Sequence, residues 1–315
     1  MALQQSGIVD VTIVNWNSGD DLRCCLESLA VETEAALIAG VTIVDNGSID
    51  GSDAVPVPQV LRDRTRIDRA GRNLGFGAAA NRGVKQGLAP YLLFLNPDAA
   101  LHPGALAAGL RAFRQPDISS PIGIVGLRLV DRAGTTSRTC SPLPTPLAFC
   151  VRAFGIDLLP GFAAFSPFLR SWPHDRSQIV AQVMGACFLM PRALFSTLDG
   201  FDERFFLYYE DVDLARRARA AGHVSWYEIG GAAMHRGGGS SRQIPALRLA
   251  YSLSSRLTYA EKHFSLGGRL AVLAATLLIE PWTRLAIGLR RSGLPGAHAV
   301  LGGYRLLWRQ LRSRS

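Results

Sequence analysis

The sequence predicts an α/β fold, a mixed but mostly parallel sheet flanked by helices, followed by a basic amphipathic helical extension. Three observations carry this. Short β-branched runs alternate with helix-like segments over the first hundred residues, those runs stop abruptly at polar residues, and the charge changes character near residue 241. IVDVTIVN (8–15) has strand length, and Asn17-Ser18 stands where a cap would open a helix ending near Ala30. VTIVDN (41–46) is a second strand running into a Gly/Ser/Asp turn. GFGAAANRGVKQG (75–87) reads as a small-residue helix entered through glycine, and YLLFLNPD (91–98) as a buried strand ending at Asn-Pro-Asp. Strand, helix, strand, helix, strand at this spacing implies a parallel, Rossmann-like sheet, whose ligands collect at the carboxyl ends of its strands. Asn15, Asp45 and Asp98 all fall at such ends, and so on one rim.

Further on, SPLPTP (141–146) cannot be central sheet or helix, and residues 141–175 read as irregular, with WPHD (172–175) in a loop. VAQVMGACFLM (180–190) resumes strand character, and Pro191 opens a short helix. LARRARAAG (214–222) is a helix closed by Gly222, HVSWYEIG (223–230) another strand, and MHRGGGS (234–240) a glycine-rich loop.

Composition narrows the class. Of 315 residues 48% are hydrophobic, which argues for a folded chain rather than a disordered one. Five cysteines without a CxxC pair argue against a disulfide framework or a zinc knuckle, and for a reducing compartment. MALQQSGIVDVTIV lacks the basic start and long apolar core of a signal peptide, so a cytosolic protein is expected. Through residue 241 the charges nearly balance, 22 Lys/Arg against 23 Asp/Glu. Residues 242–315 hold 12 Lys/Arg and two acids, Glu261 and Glu280. Nucleic-acid binding is disfavoured, because the basic residues alternate with LAVLAATLLI (270–279) rather than with stacking aromatics. That run is too short to span a bilayer and ends at Glu280-Pro281. Two readings remain: amphipathic helices on an anionic membrane surface, or a basic helical cap on a soluble core.

Several polar residues have a bland and a functional reading. GRNLGFG (71–77) matches neither GxGxxG nor a P-loop; its glycines permit a tight turn, or Arg72 and Asn73 lie near a nucleotide. DNGSIDGS (45–52) is an Asx-rich turn, or the Asp45 carboxylate accepts hydrogen bonds from a base or ribose. In LNPD (95–98), Asp98 either ends a strand in an Asn-Pro turn or is an oxygen ligand for Mg²⁺ or Mn²⁺. His235 is a structural histidine, or its glycine-rich loop brings the imidazole to a metal. Glu210, Asp211 and Asp213 follow FFLYY (205–209). Acids at a helix start each contribute roughly 0.3–1 kcal/mol through the dipole. One would suffice for that; three leave room for a carboxylate tuned to abstract a proton.

Taken in order, VTIVNWNS (11–18), TIVDNGSIDGS (42–52), NLGFGAAANRG (73–83), FLNPDA (94–99), GACFLMPRALF (185–195), GFDERFFLYYEDVDLARRARAAG (200–222) and MHRGGGS (234–240) resemble the family-2 glycosyltransferases of GT-A fold, rhamnosyltransferase-like branch. RLTYAEKHF (256–264) resembles C-terminal segments of the same branch. The resemblance implies a catalytic domain over 1–241 and a membrane-surface helical segment over 242–315. It implies transfer of a sugar, with dTDP-rhamnose the branch-level favourite donor, to a lipid-linked or polysaccharide acceptor in cell-envelope glycan synthesis, with inversion. Asp211 would match the base, Glu210 would position the acceptor, and Asn15, Asp45, Arg72, Asn73 and Asp98 would bind the donor. Asp98 and His235 would match the site of a divalent cation, Mg²⁺ or Mn²⁺. One departure is that Asn96-Pro97-Asp98 replaces Asp-x-Asp, leaving one carboxylate for the metal. The protein would work in the cytoplasm, peripheral on the inner face of the membrane, with no nucleic-acid partner. The alternatives are a non-catalytic membrane-associated nucleotide-sugar-binding protein and a sugar-nucleotidyltransferase, although VNWNSGDD (14–21) lacks the lysine of a nucleotidyltransferase phosphate loop.

Overall fold

In the computed structural model, which describes residues 7–115, 118–158, 172–237 and 244–312, strand β1 (Val9–Asn15) is buried along its whole length. A strand buried on both faces, even at its polar Asp10, Thr12 and Asn15, belongs at the centre of a covered sheet. The chain continues through α1 (Asp20–Leu29), α2 (Glu32–Ala35), β2 (Ile38–Asp45), β3 (Thr65–Arg69), α3 (Phe76–Val84), β4 (Tyr91–Leu95), β5 (Ala99–Leu101) and α4 (Ala105–Ala112). Next come β6 (Ile122–Val130), β7 (Cys140–Ser141), α5 (Pro146–Ala153), β8 (Gln178–Val180), β9 (Gln182–Val183), β10 (Cys187–Pro191) and α6 (Arg192–Thr197). The last elements are α7 (Glu210–Ala220), β11 (Val224–His235), α8 (Pro245–His263), α9 (Leu266–Ala274) and α10 (Glu280–Arg312). Two units divide these elements, one of Met1–Ser141, Pro173–Glu203 and Glu210–Gly239, the other of Pro142–Trp172, Arg204–Tyr209 and Ser240–Ser315.

The first unit is the sheet. Among the described residues its strand order is β3-β2-β1-β4-β10-β6-β11-β5, with β8 added on β11. The pairs β3/β2, β2/β1 and β1/β4 are parallel, β10 runs antiparallel to β4 and β6, and β11 is parallel to β6. Register places Asn15 opposite Asp45 and Ile13 opposite Leu95, so one rim collects the polar ends of three strands. Val11, Ile13, Ile43, Leu93 and Leu95 bury themselves in the core with Leu26 of α1. Each such side chain contributes about 1.5–3 kcal/mol by leaving water. Phe94 stacks on Phe188 at 4.9 Å and meets Phe201 edge-on at 5.1 Å. On the opposite rim Arg192 pairs with Asp10 (2.6 Å) and donates to the carbonyls of Ala89 and Val84.

Four local features differ from the sequence expectation. α1 begins at Asp20 rather than beneath an Asn-Ser cap, because Asn17 accepts from Ile49 N–H and Ser18 donates to Asn15. Cross-loop bonds won over helix capping. The irregular 141–175 contains β7 and α5, since Thr145 accepts from Ala148 N–H and Pro146 takes the first helical turn; residues 159–171 lie outside the described ones. His174 is buried, and its Nε2 accepts from the backbone N–H groups of Thr139 and Cys140. The strand expected over 180–190 breaks into β9 and β10 around Gly185.

The second unit is helical. Phe149 of α5 and Tyr209 pack against Tyr259 of α8. Glu280, 1% exposed, pairs with Arg256 and, at 2.7 Å, with Arg284. A π-helical stretch, Ala275–Ile279, joins α9 to α10, and α10 is broken at Gly293 (φ 62°) beside Pro295.

Candidate active site

Tight turns build the rim where β1 and β2 end. Asn15, fully buried, has three acceptors within hydrogen-bond distance of its two-hydrogen Nδ2 donor: Asp45 Oδ1 (3.0 Å), Ser52 Oγ (3.0 Å) and Ser48 Oγ (3.2 Å). Asp45 Oδ2 accepts the N–H groups of Gly47 and Ser48, both at 3.2 Å. The Asp45 carboxylate is 4% exposed and organises the 45–52 turn, with three of its roughly four acceptor positions taken. Asn46 is the clasp to the next loop. It donates to Asn73 Oδ1 and the Gly75 carbonyl and accepts from Leu74 N–H. Arg72 is exposed there, its backbone against Gly47. Asn15 and Asp45 are thus in direct contact, and Asn73 is tied to them through Asn46.

The strand ends at β4 and β11 bring Asp98 and His235 together. β11 changes register between Glu228 and Ala232, a bulge that re-aims its second half. That half pairs with β5, setting His235 opposite Ala99, so Met234 and His235 end a strand rather than lie in the glycine-rich loop expected over 234–240, of which residues 238–240 lie outside the described ones. His235 Nε2 then lies 3.3 Å from Asp98 Oδ1, with both side chains about a tenth exposed. Arg236 donates its N–H to the Asp98 carbonyl (3.2 Å) and pairs with Asp21. A carboxylate oxygen and an imidazole nitrogen suit a divalent cation, and neighbouring ligands of an octahedral ion lie about 3 Å apart. No group of three His, Cys, Asp or Glu side chains converges among the described residues. The pair therefore fits an ion that takes its other ligands from substrate oxygens and water.

The acidic cluster opens α7. The chain enters it through Tyr208 and Tyr209, both left-handed (φ 71° and 68°), a conformation that costs non-glycine residues energy. Asp211 Oδ2 accepts the Gly185 N–H and Oδ1 accepts the Val212 N–H, each at 2.8 Å. A Cβ on residue 185 would stand 3.1 Å from Asp211 Cβ, so a larger residue there would make Asp211 give by a few tenths of an ångström. Glu210 is 7% exposed, and its Oε2 has no hydrogen-bond partner. Burial and the neighbouring Asp211 charge push the Glu210 carboxyl well above the usual range. Burial also raises Asp211, while its backbone N–H bonds oppose the shift. The two backbone N–H bonds favour the ionised form of Asp211, so of the pair Asp211 is the easier to ionise and Glu210 the easier to keep protonated. Asp213 has a different task. Fully buried, it pairs with Arg217 (2.7 Å), which also donates to the carbonyls of Leu198 and Gly200.

Asn96 N–H donates to the Ala186 carbonyl (2.8 Å), extending the β4/β10 pairing and joining the Asp98 segment to the one that holds Asp211. Sequence reasoning missed Asn46, Gly185 and Arg236, although each lies inside a quoted motif. Their signal was adjacency to polar strand ends. Cys25 and Cys187 sit buried beneath this rim, and burial pushes the Cys187 thiol up to about 12, so neither is a ready nucleophile.

The sequence profile described as glycosyl transferase family 2 matches residues 10–170. The chain is 29% identical over 273 residues to an N-acetylglucosaminyl-diphospho-decaprenol L-rhamnosyltransferase of Mycobacterium tuberculosis, covering 81% of this chain and 85% of that one. It is 25% identical over 223 residues to the low-salt glycan biosynthesis hexosyltransferase Agl10 of Haloferax volcanii, covering 69% and 64%. In structure it is similar to the Pyrobaculum calidifontis mannosyltransferase PcManGT, solved with GDP-Man and Mn²⁺, at a TM-score of 0.53 and 15% identity over 96% of this chain and 81% of that one. A mixed, mostly parallel sheet flanked by helices, with its polar residues gathered at the strand ends, is here the GT-A fold, and the chain belongs to glycosyl transferase family 2 as a rhamnosyltransferase-like glycosyltransferase.

Proposed function

We propose that this enzyme is an inverting transferase moving a sugar, rhamnose the favoured one, from a nucleoside-diphosphate donor to a hydroxyl of a lipid-linked or polysaccharide acceptor in cell-envelope glycan synthesis. The carrying observation is Asp211, a carboxylate gripped by two backbone N–H groups beside a buried Glu210. Held in this way, Asp211 takes the proton of the acceptor hydroxyl as its oxygen attacks the anomeric carbon. The bond from that carbon to the diphosphate oxygen breaks on the opposite face, which inverts the configuration. A positioned base of this kind contributes roughly 10²–10⁴-fold. Glu210, protonated, offers the acceptor a hydrogen bond without adding a second negative charge.

Asn15, Asp45, Arg72 and Asn73 form the nucleotide end of the site: Asp45 shapes the turn and Arg72 brings an exposed cation. Asp98 and His235 would hold a Mg²⁺ or Mn²⁺ ion, which when bound supplies charge neutralisation for the departing diphosphate. The Mycobacterium tuberculosis relative, whose name carries both a rhamnosyl transfer and a lipid diphosphate, supports rhamnose and a lipid-linked acceptor. Such an acceptor places the work at a membrane, and residues 242–315 are read as a peripheral anchor on its anionic cytosolic face.

The test is thermal stabilisation by a panel of nucleotide-sugars with Mn²⁺, followed by transfer assays. dTDP-rhamnose is expected to raise Tm most. No stabilisation by any nucleotide-sugar would overturn the reading.

A further inference from the structure

α9, the π-helical stretch and the first arm of α10 share one outward face. Between residues 271 and 289 the exposed residues are Ala271, Ala274, Leu278, Trp282, Ala286 and Leu289, spaced three or four apart. All six are apolar; Leu278 is 68% and Trp282 71% exposed. At 1.5 Å per residue the stripe runs about 28 Å. Its end is a turn in which residues 289–295 are all exposed, carrying Arg290 and Arg291 between Leu289 and Leu294. Gly293, at φ 62°, reverses the chain there, and a Cβ on Gly296 would meet the Gly288 carbonyl oxygen at 2.4 Å. Glycine at 288 and 296 is what lets the two arms fold into a tight hairpin.

The second arm repeats the pattern with charge. Leu294, Leu301 and Trp308 recur every seven residues on its exposed side, interleaved with His298, Arg305 and Arg312 at the same period. Among the described residues of α9 and α10, Glu280 is the one acid, and it is buried between Arg256 and Arg284. The outward surface therefore combines apolar side chains with positive charge only.

We propose that this hairpin is a membrane-surface anchor, its apolar stripe seated at the acyl boundary of an anionic bilayer and Arg290 and Arg291 on lipid phosphates. The proposal rests on the membrane-surface reading above and specifies the segment and residues that make the contact. Charge selects the occupant. A second copy on the same face would find no acid there to pair its arginines, whereas anionic headgroups complement them. By length and composition Leu266–Arg312 is apolar enough to cross a membrane, with a mean hydropathy of 1.5 in its best window. A reversal at Gly293 and paired charges at Glu280 and Arg284 favour lying in the interface over spanning.

The experiment is co-sedimentation of the full chain with phosphatidylcholine vesicles with and without phosphatidylglycerol. Wild type is expected to bind the anionic vesicles, less at high salt, and to be released by alkaline carbonate. Arg290→Gln/Arg291→Gln should weaken binding roughly 25-fold at low salt. Leu278→Gln/Trp282→Gln should weaken it about tenfold or more, with transfer to a water-soluble acceptor unchanged. Wild-type binding that both variants retain would overturn the hairpin assignment alone. No wild-type binding at any salt would overturn the membrane-surface reading with it, and resistance to carbonate would replace a surface anchor by a spanning segment. Self-association that Trp282→Gln abolishes, without vesicle binding, would make the occupant a second copy.

Discussion

The backbone N–H of Gly185 donates to Asp211 Oδ2 at 2.8 Å, and nothing larger than glycine can stand at 185 without touching that carboxylate. The turn before β10 is therefore a template for the start of α7. Gly185→Ala is expected to fold, because the conflict is confined to one side chain, but to displace Asp211. The contacts call for a shift of a few tenths of an ångström; since a full ångström of misplacement costs on the order of 10²-fold in rate, a loss of roughly several-fold is expected. Steady-state kinetics should show kcat falling with the apparent donor Kd nearly unchanged. Unaltered kcat would mean that the 185–211 contact is not part of the working geometry.

Asp211→Asn keeps the shape and one of the two backbone contacts, since its amide nitrogen cannot accept an N–H, and it cannot take a proton. Transfer should fall by roughly 10²–10⁴-fold, with nucleotide-sugar binding by calorimetry close to wild type. Normal turnover by this variant would remove Asp211 from the chemistry.

Asp98 and His235 approach each other only because β11 carries its bulge and pairs with β5. Asp98→Ala should weaken apparent donor affinity in the presence of Mn²⁺ by roughly tenfold or more, and His235→Ala less, since a carboxylate contributes charge as well as a lone pair. Comparing donor-induced Tm shifts with Mn²⁺ and with chelator checks this. Equal shifts in Asp98→Ala and wild type would detach Asp98 from the ion.

Much of this arrangement is legible in the sequence for physical reasons. β-branched runs at 8–15 and 41–46 and the apolar run YLLFL at 91–95 have strand length and lead into turn residues, so the shared rim of Asn15, Asp45 and Asp98 follows from parallel topology. Contacts set by tertiary register are not legible. No local pattern says that Asn17 and Ser18 serve the neighbouring turn rather than cap α1, or that His235 lands opposite Ala99. Glu210, Asp211 and Asp213 look equivalent as a string of acids. Only the fold separates an unpartnered Glu210 oxygen, an Asp211 held by Gly185 and an Asp213 locked to Arg217.

Glu210 links the site to pH. Burial and the Asp211 charge raise its carboxyl in the folded protein, whereas in the unfolded chain it titrates near about 4.3. Between these values the unfolded state loses the proton first, so the folded state binds more protons and stability falls as pH rises. Stability from this group is fully present below the unfolded value and is lost through the folded one. Glu210→Gln removes the titration. Its Tm should match wild type near pH 4 and exceed it increasingly toward pH 8, measured by calorimetry in matched ionic strength. A constant Tm difference across that range would mean that Glu210 is not raised.

Asp213 and Arg217 give a control that concerns folding rather than chemistry. Arg217 supplies three hydrogen bonds, one to the fully buried Asp213 and two to carbonyls of the 198–200 turn. Arg217→Met takes one counter-charge and its hydrogen bond from a carboxylate that cannot reach water. Removing one partner of a buried pair costs about 3–5 kcal/mol. Denaturant unfolding should therefore show a large loss for Arg217→Met, and a smaller one for Asp213→Leu/Arg217→Met, where no buried charge is left behind. Because neither residue touches the reacting groups, Arg217→Met protein that remains folded at low temperature should transfer sugar at near the wild-type rate. A selective fall in kcat without loss of stability would instead place the pair in the machinery of Asp211, one turn of α7 away.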